Sequence, residues 1–559
     1  MKVTEEKSHR VLVGTEEFSV ENNTTVLEFL SKSWPNDYKK FIAAEVNNRL
    51  YGLNAPIRTD SVIKPLTVAD RMGTTVYRAS ASLIMLEAMK RILPGHKPVI
   101  GQSIQDGYFY QIREMKDGVP KEIIRDIELE MKKIVEENLK FEIESLHVNQ
   151  VKKMLLEVEQ PEKVNLLRIH YEPQVRIVRV GNTFDLFHTP YAPSTGYIDT
   201  FELASYWPGM VLRFPARGST KITGKTNQYP KLFQTYMETR SWNSMLGVQN
   251  LGELNGAILS NDIHNLISIS EGLHEKKIAS IADTIASRQP EVKLILIAGP
   301  SSSGKTTFSK RLAIQLQVNG IRPMTLEMDN FFVEREQTPR DKNGEYDFES
   351  IDAIDIPLFN DVLVRLMDGE TVKTPVFDFK KGGKLPKDKW IPKKLEKDAV
   401  LIVEGIHGLN DKLTTSVMGH RKFKIYISAL TQLCIDDHNR IFTSDVRLIR
   451  RIVRDRNFRG YSAADTIKRW PSVRKGELKH IFPFQEKCDV MFNSALFYEP
   501  GVLKTVCERA LLEVDPESES FSEAYRLLRF LRLVMPISKA NVPPNSIIRE
   551  FIGQSIFHY

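Results

Sequence analysis

Lys293-Leu294-Ile295-Leu296-Ile297-Ala298-Gly299-Pro300-Ser301-Ser302-Ser303-Gly304-Lys305-Thr306 decides how the C-terminal half of this 559-residue chain folds. Residues 293–298 form a nearly continuous apolar run, the pattern of a strand buried on both faces of a parallel sheet. The run passes into Gly-x-x-x-x-Gly-Lys-Thr, and residues 308–316 then repeat apolar side chains at helical spacing. Strand, glycine loop and helix in this order predict a phosphate-binding loop. The glycines let the backbone turn its N–H groups inward at phosphate oxygens, and the helix N-terminus adds partial positive charge. On that reading Gly299, Ser301, Ser302, Ser303, Gly304, Lys305, Thr306 and Thr307 hold a nucleotide, ATP or GTP. Lys305 reaches the β- and γ-phosphates, and the Thr306 hydroxyl binds Mg²⁺.

Two further strands end in acids. Leu401-Ile402-Val403-Glu404-Gly405 places Glu404 where a carboxylate can hold Mg²⁺ directly or through water. Met324-Thr325-Leu326-Glu327-Met328-Asp329 brings Asp329 to the same edge of the sheet, as a candidate base for a substrate hydroxyl. The competing readings are an ordinary strand-terminal acid and a loop aspartate that caps local backbone. Arg447, Arg450, Arg451 and Arg454 fall at i, i+3, i+4 and i+7, so they share a helix face, with Arg456 and Arg459 close behind. Four like charges repel unless an anion meets them. The expectation is a phosphate-clamping lid, with Arg450 at the nucleotide and Arg454 aiding transfer beside Asp329 and Lys305. The alternative is a solvated basic face paired to Asp445 and Asp455.

These pieces, in this order, resemble the uridine kinase and phosphoribulokinase family over about residues 292–493. The family's D-S-F-Y is Asp329-Asn330-Phe331-Phe332 here. Its sugar-contacting tract resembles Tyr346-Asp347-Phe348-Glu349-Ser350-Ile351-Asp352-Ala353, followed by Thr374-Pro375-Val376-Phe377-Asp378-Phe379. The arginine-rich segment closes on Arg454-Asp455 and Arg459-Gly460. The resemblance implies that Asp329 is base and Mg²⁺-shell residue, that Glu349 contacts sugar hydroxyls, and that Phe377 and Arg459 lie on the substrate side. It also implies a limit. The Tyr and His that read a pyrimidine in the family are Phe377 and Gly382 here, so the hydrogen bonds that specify uracil or cytosine are missing.

Upstream, residues 10–14 and 18–20 read as a hairpin, residues 25–30 start a helix, and residues 43–46 are a strand closed by Asn47-Asn48. This order resembles the β-grasp TGS domain, over residues 1–65. A helix over residues 76–93, stopped by Pro94-Gly95, a charged helix over 121–144 and a strand-rich stretch through residue 186 follow. They resemble the editing-type domain of threonyl- and alanyl-tRNA synthetases, over residues 66–223. The family's four zinc ligands correspond to Arg78, Ser82, Phe187 and Tyr191, which are poor or impossible zinc donors, so neither zinc nor editing hydrolysis is expected. His188 beside them reads as a structural or surface residue. Residues 224–290 form a connecting region with a helix over 267–287, and residues 291–559 complete the P-loop unit with a tail, Val542-Pro543-Pro544-Asn545-Ser546-Ile547-Ile548-Arg549-Glu550-Phe551-Ile552-Gly553. The fold class is multidomain α/β and α+β. The whole arrangement resembles bacterial multidomain proteins classed as uridine kinase-like nucleoside kinases.

Composition narrows the rest. Three unpaired cysteines, Cys434, Cys488 and Cys507, argue against a disulfide framework and fit a reducing compartment. Residues 1–7 lack the apolar core of a secretory leader, and no apolar run approaches the length of a membrane span, so a cytoplasmic protein is expected. A net charge of +7, from 78 basic and 71 acidic residues, permits an RNA partner without requiring one. Two functions are therefore in view: an ATP-dependent kinase with a small hydroxyl-bearing substrate, or a nucleotide-regulated RNA- or ribosome-associated binding protein.

Overall fold

A computed structural model describes residues 8–216, 218–224, 228–340, 344, 346–378 and 381–559. The expectations for residues 1–7 and Phe379 lie outside them. The P-loop strand, β1 (Leu294–Ala298), is the middle strand of a parallel sheet. Its companions are β2 (Arg322–Glu327), β3 (Ala399–Glu404), β4 (Lys422–Ser428) and β5 (Val490–Asn493), in the order β2-β3-β1-β4-β5. Every residue of β1 is buried, because successive side chains point to opposite faces and both faces are covered. Ile295 and Ile297 pack with Phe308 and Leu312 of α1 (Lys305–Val318), while Leu294 and Leu296 pack with Phe359, Leu363 and Val403. The continuous apolar run is thus explained by two cores, one on each side of the sheet.

Four later helices complete this unit: α2 (Thr443–Arg454), α3 (Ala463–His480), α4 (Glu499–Leu512) and α5 (Phe521–Leu531). The helix over Ile263–Ala286 is no loose spacer, since Ile278, Ile281 and Ile285 share the core of Ile295 and Phe308.

At the other end, strands Ser8–Val13 and Glu16–Glu21 form the expected hairpin within a five-stranded sheet. Thr25 caps the helix Val26–Ser33 through a reciprocal capping box with Glu28. Asn47 and Asn48 take φ of 49° and 56°, the left-handed pair that a two-residue hairpin turn demands. Two expectations need correction. The helix predicted over 121–144 ends at Glu137, where Asn138 turns left-handed at φ 52°, and Glu142–His147 pairs instead as a strand with Gln174–Val180. The stretch predicted to be strand-rich also holds two helices, Val148–Glu157 and Pro161–Leu166, anchored by buried Val151, Leu155 and Leu166. Among the described residues no helix is long and apolar enough to cross a membrane.

Candidate active site

The loop's backbone explains its glycines. A Cβ on Gly299 would lie 2.1 Å from the Ile427 carbonyl oxygen, and Gly304 sits at φ 82°. Ser302, although not glycine, also takes a left-handed φ of 58°. The hydroxyls of Ser302 and Ser303 are buried with no hydrogen-bond partner among the described residues. Orphaned donors around a turn of inward N–H groups are what a phosphate would satisfy.

Three carboxyls lie within reach of the Lys305 charge. Asp329, Glu349 and Glu404 come from three separate stretches of chain, yet the charge on Lys305 acts on each. Desolvation raises all three carboxyls, with Lys305 opposing it, and Glu404 is pushed up to about 7. Asp329 lies on the one-turn helix Met328–Phe331, just past β2, and is exposed. Glu404 ends β3 and accepts a hydrogen bond from the Thr306 hydroxyl at 3.2 Å. A threonine hydroxyl and two carboxylates at the mouth of a phosphate loop are hard oxygen donors that suit Mg²⁺, which keeps waters and phosphate oxygens for its other positions.

The substrate-side residues lie nearby. Glu349 is half-buried against α3, where a Cβ on Gly476 would lie 2.5 Å from its own Cβ. The Phe377 N–H donates to Asn330 Oδ1 at 3.1 Å, and its ring lies 5.8 Å from that of Phe332. Arg459 is close enough for its charge to lower the Asp329 carboxyl against the desolvation.

The arginine face of α2 departs from expectation. Arg447 and Arg450 are among the most buried side chains of the chain, at 1% and 0% exposure. Arg447 pairs with Glu477 of α3 and donates to the Ser301 carbonyl at 2.9 Å. Arg450 pairs with Glu499 of α4 at 2.6 Å and donates to the Ser302 carbonyl at 3.3 Å. Arg450 was expected at the nucleotide; it instead braces the loop from behind. Arg451 donates to the Ser301 hydroxyl at 2.9 Å, and Asp455 pairs with Arg451, Arg454 and Arg459 at 3.3, 3.1 and 3.6 Å. Helical spacing showed which arginines share a face. It had no access to Glu477 and Glu499, which arrive from distant helices.

Arg450→Met is therefore expected to leave Glu499 buried and unpaired, costing about 3–5 kcal/mol in urea unfolding. Replacing Glu499 by Leu in the same chain is expected to restore much of the loss; an unchanged midpoint in the single variant would contradict the bracing role.

The tail docks on the P-loop unit, as the sequence reading expects, with Ile547, Ile548 and Phe551 in the core of Ile295 and Phe308; its contact with the loop itself is what sequence reasoning missed. Glu550 accepts from the Thr307 N–H at 3.2 Å and from its hydroxyl at 2.9 Å, and the Tyr559 hydroxyl lies 2.8 Å from the Thr307 hydroxyl oxygen. Ile547 sits where a Cβ on Gly304 would be 2.4 Å away. A carboxylate thus occupies one backbone donor expected to meet a nucleotide. The motif of the tail was visible, but nothing local in it points to the loop.

In the N-terminal half, Arg78 is buried against the rings of Tyr108 and Phe214, at 5.7 and 5.3 Å. Ser82 Oγ accepts from the Tyr110 hydroxyl at 3.0 Å, and the Phe187 and Tyr191 rings are 6.1 Å apart. Among the described residues no three His, Cys, Asp or Glu side chains cluster as metal ligands. His188 pairs with buried Asp436 at 3.2 Å.

Residues 294–496 match the model of the Phosphoribulokinase / Uridine kinase family. The N-terminal part is similar to threonine–tRNA ligases. That of Clostridium tetani is 33% identical over 195 residues, 34% of this chain and 30% of the ligase. That of Acetivibrio thermocellus is 34% identical over 173 residues, 30% of this chain and 27% of the ligase. The chain therefore spans less than a third of the length of these relatives. Among solved structures it is similar to D-glycerate 3-kinase from Cryptococcus neoformans (14% identical, 46% of this chain and 87% of that one, TM-score 0.22). A structure described as a possible uridine kinase from Bacillus stearothermophilus is 22% identical, over 27% of this chain and 79% of that one, with a TM-score of 0.23.

Proposed function

We propose that this chain is an ATP-dependent kinase, acting in the cytoplasm, that transfers the γ-phosphoryl group to a hydroxyl of a nucleoside or sugar-like small molecule. The observation that carries the reading is a phosphate loop whose Thr306 hydroxyl meets Glu404 at 3.2 Å and whose Lys305 charge acts on Asp329, Glu349 and Glu404 alike. A loop that only switched between nucleotide states has no need of a base and a sugar-side acid beside it.

In this reading the loop N–H groups and Lys305 hold the phosphates, and Thr306, Glu404 and Asp329 hold Mg²⁺, which neutralises phosphate charge. Asp329 accepts the proton of the substrate hydroxyl as its oxygen bonds to the γ-phosphorus; the bond from that phosphorus to the β,γ-bridging oxygen breaks and ADP leaves. Lys305, with Arg454 and Arg459 beyond it, offsets charge on the transferring group. Glu349 positions the acceptor by its hydroxyls, and Phe377 offers a ring face. Neither Phe377 nor Gly382 can read a pyrimidine edge by hydrogen bonds, which favours another base or a polyol.

Glu550 must release Thr307 before that N–H can serve a phosphate. Glu550→Gln is therefore expected to lower the KM for ATP by roughly three- to tenfold, by removing a negative charge from an anion site. An unchanged or raised KM would show that the tail does not compete.

The functional test is ADP release by the full chain across a panel of nucleosides, sugars and polyols. Acceptor-dependent release supports the kinase. Its absence across the panel, with tight and salt-sensitive tRNA binding, would favour the RNA-associated reading, which the similarity to threonine–tRNA ligases brings into view.

A further inference from the structure

A cavity of about 480 Å³, lined by no residue of the phosphate loop, is walled on one side by the N-terminal half and on the other by α5 and the segment leading into α2. Arg176, Arg440, Arg526, Arg529 and Arg532 line it. Arg526 is neutralised by Asp445 at 2.6 Å and Glu523 at 2.8 Å. Among the described residues no ion pair joins Arg176, Arg440, Arg529 or Arg532 to a carboxylate. Of the acids on the wall, Asp185 is held by buried Lys163 at 2.5 Å and Asp445 by Arg526, which leaves Glu172 alone against four cations.

Arg440 is the sharpest anomaly. It is 6% exposed, and its Nε and Nη1 have no hydrogen-bond partner among the described residues. The rings of Tyr108 and Phe442, at 5.3 and 5.4 Å, are its nearest compensation. A buried guanidinium with orphaned donors costs stability unless something accepts from it. Arg529 is half-buried on the same wall, where burial, and then the charge of Arg176, hold its guanidinium below the usual arginine range. Like charges crowded round a common void lack only an anion. Tyr108 and Tyr191 on the same wall give a flat apolar body something to pack against.

We propose that this cavity binds a phosphate-bearing small molecule of nucleotide size, with Arg440 and Arg529 as its main anion contacts and Arg176 at its edge. The volume falls within the range of small-ligand pockets, and unpaired arginines form strong, charge-assisted hydrogen bonds to phosphate. The proposal does not depend on the kinase reading, because the two sites share none of these residues.

The test is calorimetric titration of the full chain with AMP, with inorganic phosphate, and with a 5′-phosphorylated decaribonucleotide, at low salt. AMP is expected to bind the Lys305→Ala chain within about twofold of the unaltered protein, and at least roughly tenfold more weakly to Arg440→Gln and Arg529→Gln. Similar or tighter binding of the oligonucleotide, lost in the same variants, would assign the phosphate to the end of an RNA; its exclusion would assign a free nucleotide. Should Arg440→Gln fail to fold, Arg529→Gln and Arg176→Gln decide the matter from the cavity wall. Binding that Lys305→Ala abolishes, or that the arginine variants leave intact, overturns the proposal. So does the absence of binding by all three probes at millimolar concentration.

Discussion

Asp329→Asn is expected to lower kcat by about 10²–10⁴-fold while leaving the KM for ATP within about twofold. Asparagine keeps the size and one acceptor oxygen of aspartate but cannot take up a proton. The loss should therefore fall on the chemical step rather than on nucleotide binding. The pH profile supplies an independent signature. Desolvation raises the Asp329 carboxyl above the ordinary aspartate range, with Lys305 and Arg459 opposing it. The base works only when deprotonated, so activity is expected to fall as pH drops through that raised value, earlier than for a solvated aspartate. In the Asn variant this acid limb should disappear from the residual activity. A variant that kept its kcat, or kept the same acid limb, would remove Asp329 from the chemistry.

Lys305→Ala is expected to reduce kcat/KM by at least roughly 10³-fold, because a phosphate-loop lysine acts on ground-state and transferring phosphates alike. The effect should differ in kind from that of Asp329→Asn, with ATP affinity lost as well as rate. Lys305 is also the common counter-charge of Asp329, Glu349 and Glu404. Without it, three crowded carboxyls face one another and each should hold its proton to higher pH. A thermal melt alongside the kinetics separates this from misfolding, and retained turnover would mean that the loop is not catalytic.

The loop and the two acid-ended strands could be read from sequence because their signals are local. Leu294 to Ala298 run apolar into Gly299, and Glu404 and Asp329 stand where their strands or the turns just beyond them reach the same sheet edge. The hairpin and the Thr25 capping box were legible for the same reason. What escaped is contact across long stretches of chain. Glu477 and Glu499 turn an apparent phosphate clamp into a buried brace, yet they lie 30 and 49 residues from the arginines they meet. Glu550 reaches Thr307 across 243 residues. The five cavity arginines come from both halves of the chain, so no window of sequence shows them as a set. The helix predicted over 121–144 failed on a single left-handed residue, Asn138, whose conformation composition does not announce.

The braced loop also changes how the arginine segment is understood. Arg447 and Arg450 hold the carbonyls of Ser301 and Ser302, so these oxygens of the loop are tied back while the buried hydroxyls of Ser302 and Ser303 stay without a partner among the described residues. Stability and phosphate binding are thereby linked through the same backbone.

The central claim is that Lys305 and Asp329 work together on a hydroxyl acceptor, and transfer of label from [γ-³²P]ATP to a panel of nucleosides, sugars and polyols tests it most directly. Label is expected on at least one acceptor with the unaltered chain, falling about 10²-fold or more with Asp329→Asn and with Lys305→Ala. Release of label only as inorganic phosphate, at a rate indifferent to every acceptor and to Asp329→Asn, would contradict it.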